Sequence, residues 1–163
     1  MTLSGTGMPV VDAREDFLRA RRAHLVARAG RRLARRRNRE SAPRTAGDLT
    51  ALPRHAARLE VIPLASIVGT LEPTQLFDAR FRPASVLVRP RWERVALAHR
   101  KAIPLPPISV LQRPDGYYVV DGRHRVSVAL ALGHDDIEAY VTQVATLPVD
   151  PVSVSGSMAG CAA

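Results

Sequence analysis

The sequence predicts a small α+β domain, and three observations carry that prediction. Between residues 57 and 147, short apolar, β-branched runs alternate with runs of helical period. Two of the strand-like runs, PISVLQ and YYVVDG, flank RPDG at 113–116, whose Pro and Gly mark the turn of a hairpin. The second run ends at Asp121–Gly122, and a helical run, RHRVSVALAL, starts at once. The result is a strand–glycine–helix junction in a domain at the small end for a self-sufficient core.

Each element follows from its local chemistry. Residues 1–11 carry no periodic pattern and are expected to be disordered. Residues 12–39 read as a helix of Ala, Leu and Arg, with Asp12 as N-cap and Glu15 completing a capping-box-like pair. Acids lie in its first turn and arginines in its last, which suits the macrodipole. Leu18, Leu25, Val26, Ala29 and Leu33 form a thin apolar stripe, too narrow for a core, so the helix is expected to dock on something. The basic helical arm is bounded at 12–42. Residues 43–56, with Pro43, Gly47 and Pro53, read as a linker.

In the domain, RLEVIPLASIV gives a short strand, a proline break and a short helix or turn, and GTLEPTQLFDARFRPAS a loop. VRPRWERVALAHRKA is a helix opening near Pro90, with Trp92, Val95, Ala96 and His99 on one face, and PLPP at 104–107 stops it. After the hairpin, Val126, Ala129 and Leu130 are the expected inner face of the next helix, with Gly133 as its C′ glycine. IEAYVTQV is the last strand, with Ile137, Ala139 and Val141 inward, and residues 148–163 read as a disordered tail.

Charge divides the chain. Residues 1–58 hold 14 Arg against five acids, whereas residues 59–163 hold nine Arg and one Lys against ten acids. The formal charge of +9 therefore belongs to the N-terminal segment, and the domain is neutral. Such asymmetry points to DNA or another polyanion as a partner for residues 12–42, with Arg31, Arg32, Arg35, Arg36 and Arg37 as the contacts; a solvated arm is the alternative. Cys161 is the only cysteine, so no internal disulfide supports the fold. With no signal-type apolar region and no run approaching a membrane span, a cytoplasmic location is expected, nucleoid-associated if the arm meets DNA, and no membrane partner.

The junction at 121–125 carries the chemistry. The first turn of a helix exposes N–H groups without intrahelical partners, and its dipole favours an anion. Arg123, His124 and Arg125 oppose that dipole, each at about a few tenths of a kcal/mol, unless an anion is bound. Gly122 allows close approach to the backbone, so amides, guanidinium and imidazole together suit a phosphate. The alternative is that these side chains face solvent, with Asp121 as an ordinary cap.

The stretch PLPPISVLQRPDGYYVVDGRHRVSVALALGHDDIEAYV resembles the ParB/sulfiredoxin superfamily, in particular its ParB-like N-terminal domain, and IPLASIV resembles that domain's opening strand and turn. The resemblance implies that the glycine-led helix start binds nucleotide phosphates. Partition ParB proteins carry G-E-R-R there and bind CTP; the matching positions here are Gly122, Arg123, His124 and Arg125, so the glutamate is replaced. Sulfiredoxins carry G-C-H-R and use the cysteine with ATP. Arg123 stands at that position here, and sulfiredoxin activity is not expected. Free-serine kinases carry a D-G-H-H-R-like stretch, closer to DGRHR. No helix-turn-helix region follows, so operator recognition of the ParB kind is not expected.

The resemblance implies a nucleoside triphosphate, CTP or ATP, with Mg²⁺; any enzyme would be a nucleotide hydrolase or phosphotransferase. The alternatives are a DNA-binding or nuclease-like protein without nucleotide turnover, and a small-molecule kinase of the free-serine-kinase type. Glu72 is the candidate base or magnesium partner, by loose analogy with kinase-like relatives, and a surface glutamate otherwise. Asp121 is the candidate for holding a metal–phosphate complex, or else a turn acid. Arg80 and Arg82 flank Phe81 in FDARFRP and would stack on a base or hold a second phosphate, or else point outward from core phenylalanines.

Overall fold

A computed structural model of the chain describes residues 5–33, 44–45 and 56–143. Its elements in order are α1 (Pro9–Leu33), β1 (Arg44–Thr45), β2 (Arg58–Pro63), β3 (Ile67–Thr70), α2 (Arg89–Arg100), β4 (Ile108–Arg113), β5 (Gly116–Asp121), α3 (Arg123–Leu132) and β6 (Asp136–Gln143), with single 3₁₀ turns at Leu64–Ser66 and Val86–Val88. The protein is α+β, with one mixed sheet in the order β1-β3-β5-β4-β6-β2. The β4–β5 hairpin and the β6–β2 edge are antiparallel, while β1–β3, β3–β5 and β4–β6 are parallel.

Helix α3 lies between two apolar layers. On the sheet side, Val126 and Ala129 join Ile62, Leu64, Phe81, Ile108, Val110, Val119, Ala139 and Val141. On the other side, Val128 joins Ala13, Phe17 and Ala20 of α1, Val88, Trp92 and Ala96 around α2, and Phe77. Four successive residues of α3, Val126 to Ala129, are therefore buried, whereas Leu130, expected inside, is exposed. A helix covered on one face buries a stripe, but one covered on two faces buries most of a turn. Trp92 Nε1 donates to Ser127 Oγ at 2.9 Å, which satisfies both buried polar groups and ties the two helices.

Strand β3 is not legible as a strand in LASIVGT; its four residues are held by parallel pairing to β5, about 50 residues later in the chain. The buried face of α1 also departs from the expected stripe. Leu18, Leu25 and Val26 are exposed, and the helix buries Ala13, Phe17, Ala20, Asp12, Asp16 and His24 instead. The reason is electrostatic and steric. Arg100 of α2 donates to both oxygens of Asp16, at 2.7 and 3.0 Å, and reaches Asp12 at 3.4 Å, so two acids can face the partner helix. Ala13 and Ala20 let the axes approach, and Phe17 meets Trp92 edge-on at 5.6 Å.

The helix also starts earlier than expected, at Pro9, so residues 9–11 are helical rather than disordered. Asp12 is not the N-cap but lies in the first turn, where it accepts from the backbone N–H (2.7 Å) and the hydroxyl (2.8 Å) of Thr6. Those bonds, led by the Thr6 amide, hold the Asp12 carboxyl below its usual range. The expected C-terminal part of the arm, most of the 43–56 linker and the 148–163 tail lie outside the described residues.

A second polar hub fixes α1 to the 77–83 loop. Asp78, almost wholly buried, accepts from the backbone N–H groups of Arg80 and Arg82 at 3.0 Å each, and from Arg82 Nε at 2.8 Å. His24 Nδ1 of α1 lies 3.0 Å from Asp78 Oδ2, the oxygen that Arg82 also meets. Burial would raise this carboxyl's pKa, but the His24, Arg82 and Arg80 interactions outweigh it and hold it below the usual range. Phe77 and Phe81 are core residues, and Arg82 is spent on Asp78 and on the Ala23 carbonyl. Removing the acceptor leaves His24, two amides and a guanidinium without their partner. Asp78→Ala is expected to cost about 3–5 kcal/mol, read as a lower urea midpoint at unchanged slope.

Candidate functional site

The site forms where β5 passes into α3. Gly122 is the N-cap, with φ 106° and ψ 15°, a left-handed conformation that a side chain resists. The sequence suggests that this glycine opens the backbone to a ligand, and the structure adds a packing reason for it. A Cβ at Gly122 would run into Ile108 Cγ2 and lie 2.8 Å from Ile108 Cβ and 3.3 Å from Arg125 Nη2. The glycine therefore lets β4 and the guanidinium close underneath, while the positive φ aims the helix start outward. No side chain caps the first turn, and the first helical bond runs from Val126 N–H to the Gly122 carbonyl at 3.0 Å.

The three basic side chains go three ways. Arg125 turns back: Nη1 donates to the carbonyls of Pro106 and of Pro107 (2.8 Å), and Nη2 donates to Asp121 Oδ2 at 2.6 Å. It clamps the PLPP segment against the start of α3. Arg123 Nη2 faces Glu72 Oε2 at 3.4 Å, a partly exposed pair. The His124 ring stands edge-on to Phe77, 5.2 Å between centroids. Burial, then the nearby Arg91 and Arg123 charges, push its pKa down to about 4 against the pull of Asp121, so it is neutral at pH 7. The conflict between the basic side chains and the dipole is thus reduced within the fold, because Arg123 and Arg125 carry counter-charges and His124 carries no charge, while the first-turn amides stay uncapped.

What remains open to a ligand lies on the cleft side. A cavity of about 380 Å³ is lined by Thr74, Leu76, Phe77, Arg91, Val95, Leu105 and Pro106, with Asp121 to Arg125 at its base. The structure brings Asp121, Gly122, Arg123, His124 and Arg125 together there, and Glu72 reaches the group through Arg123. Asp121 is committed to Arg125, and Glu72 is largely exposed. Arg31 and Arg32 lie in the last turn of α1, away from this cleft, and Arg35, Arg36 and Arg37 lie outside the described residues. No group of three or more His, Cys, Asp or Glu suited to a metal ion occurs among the described residues.

Sequence reasoning missed Arg91, Thr74 and Phe77. Arg91 is exposed on α2, has no ion-pair partner among the described residues, and is close enough to His124 to depress its pKa. Its one sequence signal is a position at the helix start beside Pro90, next to a tryptophan that faces the core.

No helix among the described residues is long and apolar enough to cross a membrane. Comparison with curated proteins and with solved structures found no match. The family model of the ParB N-terminal domain matches residues 62–152, a span that contains β3 to β6, the PLPP clamp and the whole Asp121–Arg125 junction, and the chain belongs to that family.

Proposed function

We propose that the cleft at the β5–α3 junction binds the phosphates of a nucleoside triphosphate, CTP or ATP, together with Mg²⁺. The observation that carries this reading is an uncapped helix start opening into a cavity that also holds Arg91, Arg123 and a neutral His124. Orphan amides and the dipole favour an anion at that point, and a guanidinium adds charge-assisted bonds. A cavity of about 380 Å³ is within the range of small-ligand sites. Neutral imidazole donates one N–H without adding charge against the dipole. Arg125 serves by holding the PLPP wall rather than by meeting the phosphate, and Asp121 holds Arg125 in turn. Glu72, which pairs with Arg123, is the candidate partner for a phosphate-bound Mg²⁺ or a second substrate.

Thermal-shift measurements with ATP, ADP, CTP and GTP, with and without Mg²⁺, test the reading. A nucleotide at 100 times its dissociation constant stabilises by about 2.7 kcal/mol. Arg123→Ala and His124→Ala are expected to lose that shift with circular dichroism unchanged. No shift with any nucleotide, or wild-type shifts in both variants, would sink it.

His124 also has a pH signature. The unfolded chain takes up this proton near 6.5, the folded one near 4, so the unfolded state binds more protons between those values. Stability therefore falls as pH drops from 6.5 to 4 and levels off below. His99, also depressed by burial and by His134, acts in the same direction. His124→Gln is expected to make the loss between pH 7 and pH 4.5 smaller without abolishing it, measured by urea unfolding. The carboxylates of Asp12 and Asp78 act only below about 3.8, outside this window.

The charge of the N-terminal segment favours a second role beside the first. Arg14, Arg19, Arg22, Arg28 and Arg32 line the exposed side of α1, a surface suited to a DNA backbone. Binding to duplex DNA, followed by fluorescence anisotropy, is expected to weaken steeply with salt and to lose slope in an Arg28→Ala/Arg32→Ala variant. Binding insensitive to salt would exclude this role.

A further inference from the structure

The sheet is covered by helices on one face, and its far edge is a strand with nothing beside it among the described residues. That strand is β2, last in the sheet order and paired only with β6. Its outer-face side chains Leu59 and Val61 are 59% and 64% exposed, and Tyr140, opposite Leu59 on β6, is 44% exposed. An edge strand with unpaired backbone groups and a bare apolar face is a template for another strand, and natural proteins blunt such edges with lysine, proline or a bulge. Here the pairing with β6 runs unbroken from Arg58 to Pro63, without a bulge, and the one proline stands at the end.

The two charges on the other face of the strand, Arg58 and Glu60, say what fits. Both are exposed, and neither has an ion-pair partner among the described residues. When a strand pairs with its own copy about a dyad normal to the sheet, facing residues share a face, so the dyad passes through a residue position. A dyad on Arg58 sets two arginines against each other, and a dyad on Glu60 sets two glutamates. A dyad on Val61 leaves Glu60 facing Ile62. A dyad on Leu59 sets Arg58 of each copy against Glu60 of the other, twice, with the two Leu59 side chains in contact between them. Both kinds of facing pair in an antiparallel ladder admit a dyad, so this register holds whichever residues bond to β6.

The geometry points to a homodimer in which β2 pairs antiparallel with β2 of a second copy, Leu59 on the dyad and Arg58 facing Glu60. The two sheets join into one, and the Leu59–Val61–Tyr140 strips of both copies become continuous across the dyad. The junction at Gly122 lies on β5, separated from this edge by β4 and β6, so the assembly does not depend on nucleotide binding.

Sedimentation of the full chain across a concentration series tests it. The wild type is expected to approach twice its 17.8 kDa mass as concentration rises. Arg58→Glu and Glu60→Arg are each expected to raise the dissociation constant at least tenfold, with circular dichroism unchanged, because each sets like charges against each other twice. Mixing the two variants restores both pairs and is expected to restore the dimer. Leu59→Arg, at the dyad, is expected to be monomeric. A wild type that stays monomeric at every concentration, single charge variants that dimerise as the wild type does, or a mixture that stays monomeric overturns the proposal.

Discussion

Helix α3 is buried on two sides, and that constraint sets the rest. Val126 and Ala129 need the sheet, Val128 needs α1 and α2, and Ser127 needs Trp92. With both flanks fixed, the helix can neither rotate nor slide without exposing apolar surface or breaking a buried hydrogen bond. Its first turn is then held at one place and in one direction, at the end of β5. The cleft is a consequence of this packing: Phe77 from the loop, Arg91 and Val95 from α2, and Leu105 and Pro106 from the next segment converge on the start of the helix.

Within that frame the polar groups divide between support and availability. Asp16, Asp12 and Arg100 hold α1 to α2, and Asp78, His24 and Arg82 hold α1 to the loop that carries Phe77. Arg125 and Asp121 hold the proline wall. These groups are largely satisfied within the fold. Arg91, the first-turn amides and the His124 ring are not consumed in this way, and they face the cavity. A phosphate-binding reading follows from this division more than from the count of basic residues in DGRHR. Two of the three basic side chains there already have acidic partners, and the third is uncharged at neutral pH.

Membership of the ParB N-terminal domain family agrees with the hairpin, the junction and the terminal strand, which are the parts the family match covers. Helix α1 lies outside the matched span and is nevertheless integrated into the second core through Ala13, Phe17 and Ala20. The basic segment is therefore partly a structural helix. Asp12 and Asp16 face inward against Arg100, and most of its arginines face outward, which concentrates positive charge on the solvent side of a docked element.

Features that depend on neighbours along the chain could be read from the residues alone. The RPDG turn, the left-handed glycines at 122 and 133, the proline start of α2 and the alternation in β6 are all set by local backbone preference and short-range period, and each lies where those preferences put it. The residues of the junction were legible for the same reason. Tertiary structure decided whatever rests on partners far away in the chain. It made IVGT a strand by supplying β5, and it chose the Asp12–Asp16–Phe17 face of α1 over the leucine stripe by supplying Arg100, 84 positions beyond Asp16. It turned Arg125 inward by supplying the Pro106 and Pro107 carbonyls, and it brought Arg91 to the cleft. Local sequence fixes backbone propensity, but the charge state and direction of a side chain depend on which distant groups replace the water it loses on burial.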